Sequence, residues 1–199
     1  DKVSVGYQPG KPILRNITLR LDPDDRIALL GSNGNGKSTF AKLLCGKLEA
    51  MGGEMKVPAR LTVGYFAQHQ LDELDANKTP LDTFWIYRPR FDETQARTRL
   101  GGFGFSGDKA DTKIANLSGG ERARLLIAIA TLEKPNLLIL DAPTNHLDID
   151  AREELLTALN DYEGAVVLIS HDRRLIEGCA DRLLLVGDGR ASPFDGDLD

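Results

Sequence analysis

The chain has 199 residues, 41% hydrophobic and 28% charged, with 25 Lys and Arg against 30 Asp and Glu for a formal net charge of −5. This length suits one domain, or one domain carrying an inserted subdomain, and buries roughly 70% of its unfolded surface without disulfide or metal staples. The composition excludes a disordered or fibrous chain. The longest apolar runs, Ala165 to Ile169 and Leu183 to Val186, fall far short of the ~20 residues of a membrane span, and the scattered Lys and Arg give no basis for autonomous nucleic-acid binding.

The alternation of Val3, Val5 and Tyr7, a Pro and Gly turn, and then Ile17, Leu19 and Leu21 predict an antiparallel hairpin. Arg26 to Leu30 is a continuous apolar strand that runs into a Gly-rich turn, and Phe40, Leu43, Leu44 and Leu48 predict a helix over Ser38 to Leu48. A short strand over Leu61 to Phe66 follows. Residues 69 to 116 then change character, with mixed charge, two prolines and a glycine series, and read as an inserted, partly helical subdomain. A long helical pattern runs from Ser118 through Leu125, Ile129 and Leu132 to Pro135, and Leu137 to Leu140 is a buried strand ended by Asp141. Arg152 to Glu163 is an amphipathic helix stopped by Gly164, and Ala165 to Ile169 is a further buried strand. Apolar strands alternating with helices predict an α/β fold with a parallel sheet, which holds ligands at the carboxyl ends of its strands.

Gly31-Ser32-Asn33-Gly34-Asn35-Gly36-Lys37-Ser38 matches G-x-x-x-x-G-K-[ST] between a predicted strand and a predicted helix. Glycines let consecutive N–H groups curl around phosphate oxygens, the helix start adds its positive end, Lys37 reaches the β and γ phosphates, and Ser38 ligates Mg²⁺. Asp141, at the tip of its strand, is placed to hold that ion opposite Ser38, usually through water. Ser118 and Glu121 form a capping-box pattern at the start of the long helix. That pattern leaves the Gly119-Gly120 pair unexplained, and its amides suit an approaching anion. Cys45 and Cys179 lie far apart without ligand spacing and read as small buried hydrophobes in a reducing cytosol.

Taken together, the phosphate loop, Gln68 after a strand, Leu117-Ser118-Gly119-Gly120-Glu121, the Asp141 strand, Asn145-His146-Leu147-Asp148 and His171 in Ile169-Ser170-His171-Asp172 resemble the nucleotide-binding domain of ATP-binding cassette (ABC) proteins. The resemblance covers essentially the whole chain. It implies a P-loop NTPase core over 1–68 and 117–199, with an antiparallel β subdomain and a helical insert over 69–116. It also implies Mg-ATP bound by Tyr7 (adenine stacking), Gly31, Asn33, Gly34, Asn35, Gly36, Lys37, Ser38 and Thr39. Gln68 would contact Mg²⁺ and the attacking water, and His171 the γ-phosphate. Ser118, Gly119 and Gly120 would serve the nucleotide of a partner, because two cassettes close head to tail.

Pro143-Thr144-Asn145-His146-Leu147-Asp148 and Glu121 look like the ABC-F class, whose members are soluble and act on the ribosome. The closing Pro193-Phe194-Asp195-Gly196-Asp197-Leu198 is similar to the end of a second bacterial ABC-F cassette. The expectation is a cytoplasmic C-terminal cassette cut from a two-cassette chain, partnered by a second cassette or a homodimer mate, reaching the ribosome through the full-length protein and not inserting in a membrane. The alternatives are an ABC transporter subunit and a nucleotide-gated interaction module without turnover. One departure matters. The family's catalytic glutamate follows the strand-end aspartate, and here that position is Ala142, with Asp148 and Asp172 as the unsupported substitutes. Loss of a positioned base typically slows turnover by about 10²- to 10⁴-fold, while binding should survive.

Overall fold

The computed structural model describes residues 1–67, 70, 73–145 and 147–196. Its main sheet has six strands: β3 (Arg26–Leu30), β4 (Val63–Ala67), β5 (Leu137–Asp141), β6 (Ala165–Ile169), β7 (Arg182–Gly187) and β8 (Arg190–Pro193), in the spatial order β4-β5-β6-β3-β7-β8. All neighbours are parallel except β7 and β8, which form an antiparallel edge. The central strands are buried on both faces, which is why they read as unbroken apolar runs instead of alternating ones. A two-stranded antiparallel sheet, β1 (Val3–Val5) with β2 (Leu14–Ile17), lies beside β8, where the Arg15 N–H donates to the Gly189 carbonyl.

Two apolar layers cover the sheet. On one face, Phe40, Ala41 and Leu43 of α1 (Lys37–Leu44) pack with Val3, Val5, Leu14 and Ile17 over Ile139 and Val167. On the other face, α4 (Gly119–Ala130), α5 (Ile149–Asn160) and α6 (Arg173–Cys179) bury Ala123, Leu155, Leu159, Leu175 and Ile176 against Leu138, Leu140 and Leu168. The inserted subdomain holds α2 (Pro80–Tyr87), α3 (Glu93–Gly101) and two short 3₁₀ turns. Phe84, Leu100, Phe105 and Ile114 form a third core there, which Leu117 and Leu125 join to the rest. Capping boxes at Thr79/Asp82 and Asp92/Gln95 start α2 and α3.

Several boundaries differ from the sequence reading. The second hairpin strand runs over Leu14–Ile17 and stops there; Leu19 and Leu21 still pack on the α1 core, so their alternation reports burial without a strand partner. Helix α1 ends at Leu44 because Gly46 takes a left-handed φ of 69° and Lys47 N–H returns to the Lys42 carbonyl, which leaves Leu48 outside the helix. Helix α4 ends at Ala130 and not at Pro135, and α5 starts earlier, at Ile149, because Asp148 accepts the Ala151 N–H at 2.9 Å. Gly164 is not the cap of α5, which ends at Asn160 with Asp161 as its C-cap. A Cβ there would meet the Asn136 and Pro135 carbonyls at 2.9 and 3.0 Å, so glycine permits the close approach of two chain segments. The sequence reading did not identify α6, β7 or β8 as elements. Among the described residues no helix is long and apolar enough to cross a membrane.

Candidate nucleotide site

Because β3, β4, β5 and β6 run parallel, their carboxyl ends meet at one edge of the sheet. The loop after β3 carries Gly31 to Lys37, β5 ends at Asp141, and β6, between them, leads through Ser170 to His171. Gly31 (φ 131°), Gly34 (φ 84°) and Gly36 (φ 98°) curl the loop, and a Cβ on Gly31 would lie 2.1 Å from the Val186 carbonyl oxygen. Gly36 caps α1 in the left-handed region with no side-chain hydrogen bond, so the amides of the first turn have no side-chain acceptor. That is a cradle for anionic oxygen.

Lys37 is buried, and its ammonium donates to the carbonyls of Gly31 and, at 3.0 Å, Ser32. Burial lowers its pKa, and the negative charge of Asp141 works in the opposite direction. Ser38 is exposed and Thr39 buried. These features fit a bound polyphosphate: orphan amides, a desolvated cation and a strand-end carboxylate converge, with an exposed hydroxyl on the same helix turn. Among the described residues there is no separate cluster of three or more His, Cys, Asp or Glu that would hold a metal.

Tyr7 is 53% exposed, so it is not a core aromatic. The Lys42 ammonium lies 5.1 Å from its ring centroid and donates to its hydroxyl at 3.1 Å. Burial pushes the phenol's pKa up, but hydrogen bonds with Thr39 and Lys42 and the charge of Lys42 outweigh it, so the net shift is downward. His171 Nε2 lies 3.1 Å from Asn33 Oδ1, linking the end of β6 to the phosphate loop. Neither Lys42 nor this link was visible in the sequence, since the contacts span separate elements. Gln68 and His146 lie outside the described residues, as do Asp197 and Leu198 of the closing motif.

Ala142 adopts φ 54°, with its N–H donating to the Ile169 carbonyl at 2.8 Å. An L-residue there is strained by about 1 kcal/mol. Asp148 is held as the cap of α5, and Asp172 both caps α6, accepting the Leu175 N–H at 3.1 Å, and pairs with Arg152 at 3.0 Å. Both carboxylates are therefore engaged elsewhere.

Ser118 is the N-cap of α4. Its hydroxyl accepts the Glu121 N–H at 3.2 Å, and Glu121 accepts the Ser118 N–H at 2.8 Å and pairs with Lys109 at 2.5 Å. Gly119 is half-buried. Gly120 has a packing reason that the sequence reading did not find: a Cβ there would lie 2.3 Å from the Ala151 Cβ, so glycine lets α4 press against α5. Cys45 and Cys179 are free, and burial pushes the Cys45 thiol up to about 11 and raises that of Cys179. An apolar cavity of about 680 Å³ opens beneath the last turn of α1, lined by Ile17, Leu19, Met55 and Leu137. It sits at the amino ends of β5 and β6, the wrong end of the sheet for the phosphate loop.

A family model described as "ABC transporter" matches residues 14–145. The "Probable ATP-binding protein YheS" of Escherichia coli (strain K12) is 49% identical over 199 residues, which is 100% of this chain and 31% of that protein. The "ABC transporter F family member 3" of Arabidopsis thaliana is 42% identical over 193 residues, covering 97% of this chain and 27% of that protein. The chain thus spans about a third of the length of the curated relatives it matches. Among solved structures, the dimeric bacterial cassette MJ0796 superposes with a TM-score of 0.77 at 20% identity, covering 98% of this chain and 97% of that one. Its post-hydrolysis state bound to ADP and Pi gives 0.76 at 22% identity, with the same coverages of 98% and 97%. At these identities the likeness establishes the fold.

Proposed function

Because the chain belongs to the ABC transporter family, we propose that it is one cassette of a two-cassette ABC-F protein that binds Mg-ATP, closes head to tail on its partner cassette and, at full length, regulates translation on the ribosome. The observation that carries nucleotide binding is the start of α1, where an uncapped left-handed Gly36 and the buried Lys37 lie at the same sheet edge as Asp141. In this reading Lys37 exchanges the carbonyls of Gly31 and Ser32 for phosphate oxygens, and Tyr7 offers its exposed ring to adenine. Ser38, Asp141 and Gln68 are the residues that would hold Mg²⁺, which when bound neutralises phosphate charge. His171 donates to the γ-phosphate, and Ser118 with the Gly119-Gly120 amides serves the partner's nucleotide.

Relatives named in the F family support the class, and the one-third share of their length supports a second cassette. Ala142, with Asp148 and Asp172 engaged as caps, supports slow hydrolysis. The same observation favours a second reading, a nucleotide-gated interaction module without turnover, which differs in releasing no phosphate at all. Calorimetry with ATP is expected to give binding that Lys37→Ala removes. The full-length protein is expected to sediment with ribosomes when ATP is present; sedimentation with membranes instead supports the transporter alternative and overturns the ribosomal assignment.

A further inference from the structure

His171 and Asn33 are 138 positions apart in sequence, yet a bond between their side chains ties the phosphate loop to the end of β6. An amide oxygen only accepts, so at 3.1 Å the His171 Nε2 must be the donor to Asn33 Oδ1. In either form of the ring that can make this bond, the Nε2–H tautomer or the imidazolium, that nitrogen carries a single hydrogen. It cannot serve Asn33 and a phosphate oxygen fully at the same time. The backbone on either side of His171 is fixed: the Ser170 hydroxyl lies 3.4 Å from that of Thr144 and accepts the Asp172 N–H at 3.0 Å, and Asp172 caps α6. Both Asn33 and His171 are exposed, so the bond is open to exchange. What can change partners is therefore the imidazole N–H and not the segment that bears it.

We propose that Asn33 is a latch on His171 that sets how strongly this site discriminates a nucleoside triphosphate from a diphosphate. This inference rests on the proposed function, in which His171 donates to the γ-phosphate. A triphosphate must take the Nε2 hydrogen from Asn33, whereas a diphosphate brings no γ-phosphate to compete for it. The latch thus opposes triphosphate binding alone, by about the net worth of one hydrogen bond. Removing it raises the preference for triphosphate roughly two- to tenfold. Asn33 acts through His171, which makes it a specificity-determining residue by way of a neighbour.

The test is calorimetric titration of the whole chain with ADP and with the non-hydrolysable β,γ-imido analogue of ATP, both with Mg²⁺. It is run for the unaltered protein, Asn33→Ala, His171→Ala and the double variant. The readout is the ratio of the two affinities, because any general disturbance of the loop changes both and cancels. The expected result is a ratio that moves roughly two- to tenfold toward the triphosphate in Asn33→Ala, and an Asn33→Ala change with no effect on the ratio once His171 is alanine. A ratio unchanged by Asn33→Ala, or shifted equally with and without His171, overturns the latch while leaving nucleotide binding intact. Failure of the unaltered chain to bind either nucleotide removes the proposed function first, and the latch with it.

Discussion

Two helices in this molecule begin with glycine and serine chemistry, and they treat their unpaired amides in opposite ways. At the start of α1 the cap is Gly36, with no side chain to receive an N–H, and the nearby Lys37 is buried on loop carbonyls. At the start of α4 the Ser118/Glu121 capping box is complete, and Lys109 holds Glu121 in place. The first end lacks side-chain acceptors, so an anion from solution can complete it. The second is satisfied within its own chain and stands without a ligand.

The largest expected effect concerns chemistry at the first end. Restoring a base with Ala142→Glu in the full-length protein should raise phosphate release by about 10²- to 10⁴-fold in a steady-state assay. No gain would mean that the missing carboxylate is not what limits turnover. Next, Lys37→Ala should weaken ATP at least about 100-fold in calorimetry, since it removes a buried cation from the phosphate contacts. Ser118→Ala should instead weaken ATP-dependent pairing of cassettes, measured by sedimentation, and cost about 1 kcal/mol of helix capping. If Ser118→Ala hurts binding by the single chain more than Lys37→Ala does, the contrast between the two helix starts is wrong.

Gly120→Ala places a methyl 2.3 Å from the Ala151 Cβ and should destabilise the fold by about 1–3 kcal/mol in a denaturant melt, with rescue by Ala151→Gly. Absence of rescue would mean that contact with Ala151 is not what requires glycine there. The smallest effect is electrostatic. Burial raises the Glu121 carboxyl, but the hydrogen bond from Lys109, the Ser118 amide and the charges of Lys109 and Arg124 outweigh it and hold the pKa below the ordinary value. A depressed folded-state pKa means stability that is present above the ordinary glutamate range and lost as pH falls through the lowered value. Glu121→Gln should therefore flatten the acid limb of a stability-against-pH curve and leave its neutral region shifted by a constant.

Legibility in the sequence followed the range of the interaction. The phosphate loop, the strand tips and the Ser118/Glu121 box depend on residues within a few positions of one another, so spacing alone located them. Gly164 reads as a helix stop in sequence because its actual reason, contact with the Pro135 and Asn136 carbonyls, lies at the entry to the neighbouring strand β5, far away in the chain. The packing reason for Gly120 escaped for the same cause, as its neighbour Ala151 is on another helix. The edge strand β8 escaped because Arg190–Pro193 is largely exposed and carries no apolar alternation, and β7 because its apolar run lacks a motif or helix after it to mark it as an element.

The sequence by itself determined the α/β class, the order of the motifs and the alanine that follows the strand-end aspartate, because each is written in contiguous residue types. Only the tertiary structure decided that β6 lies between β3 and β5, so that His171 reaches Asn33, and that Asp148 and Asp172 are committed to helix caps. Strand order is fixed by which apolar faces pack together, and that depends on the whole chain at once. A local pattern carries no record of it.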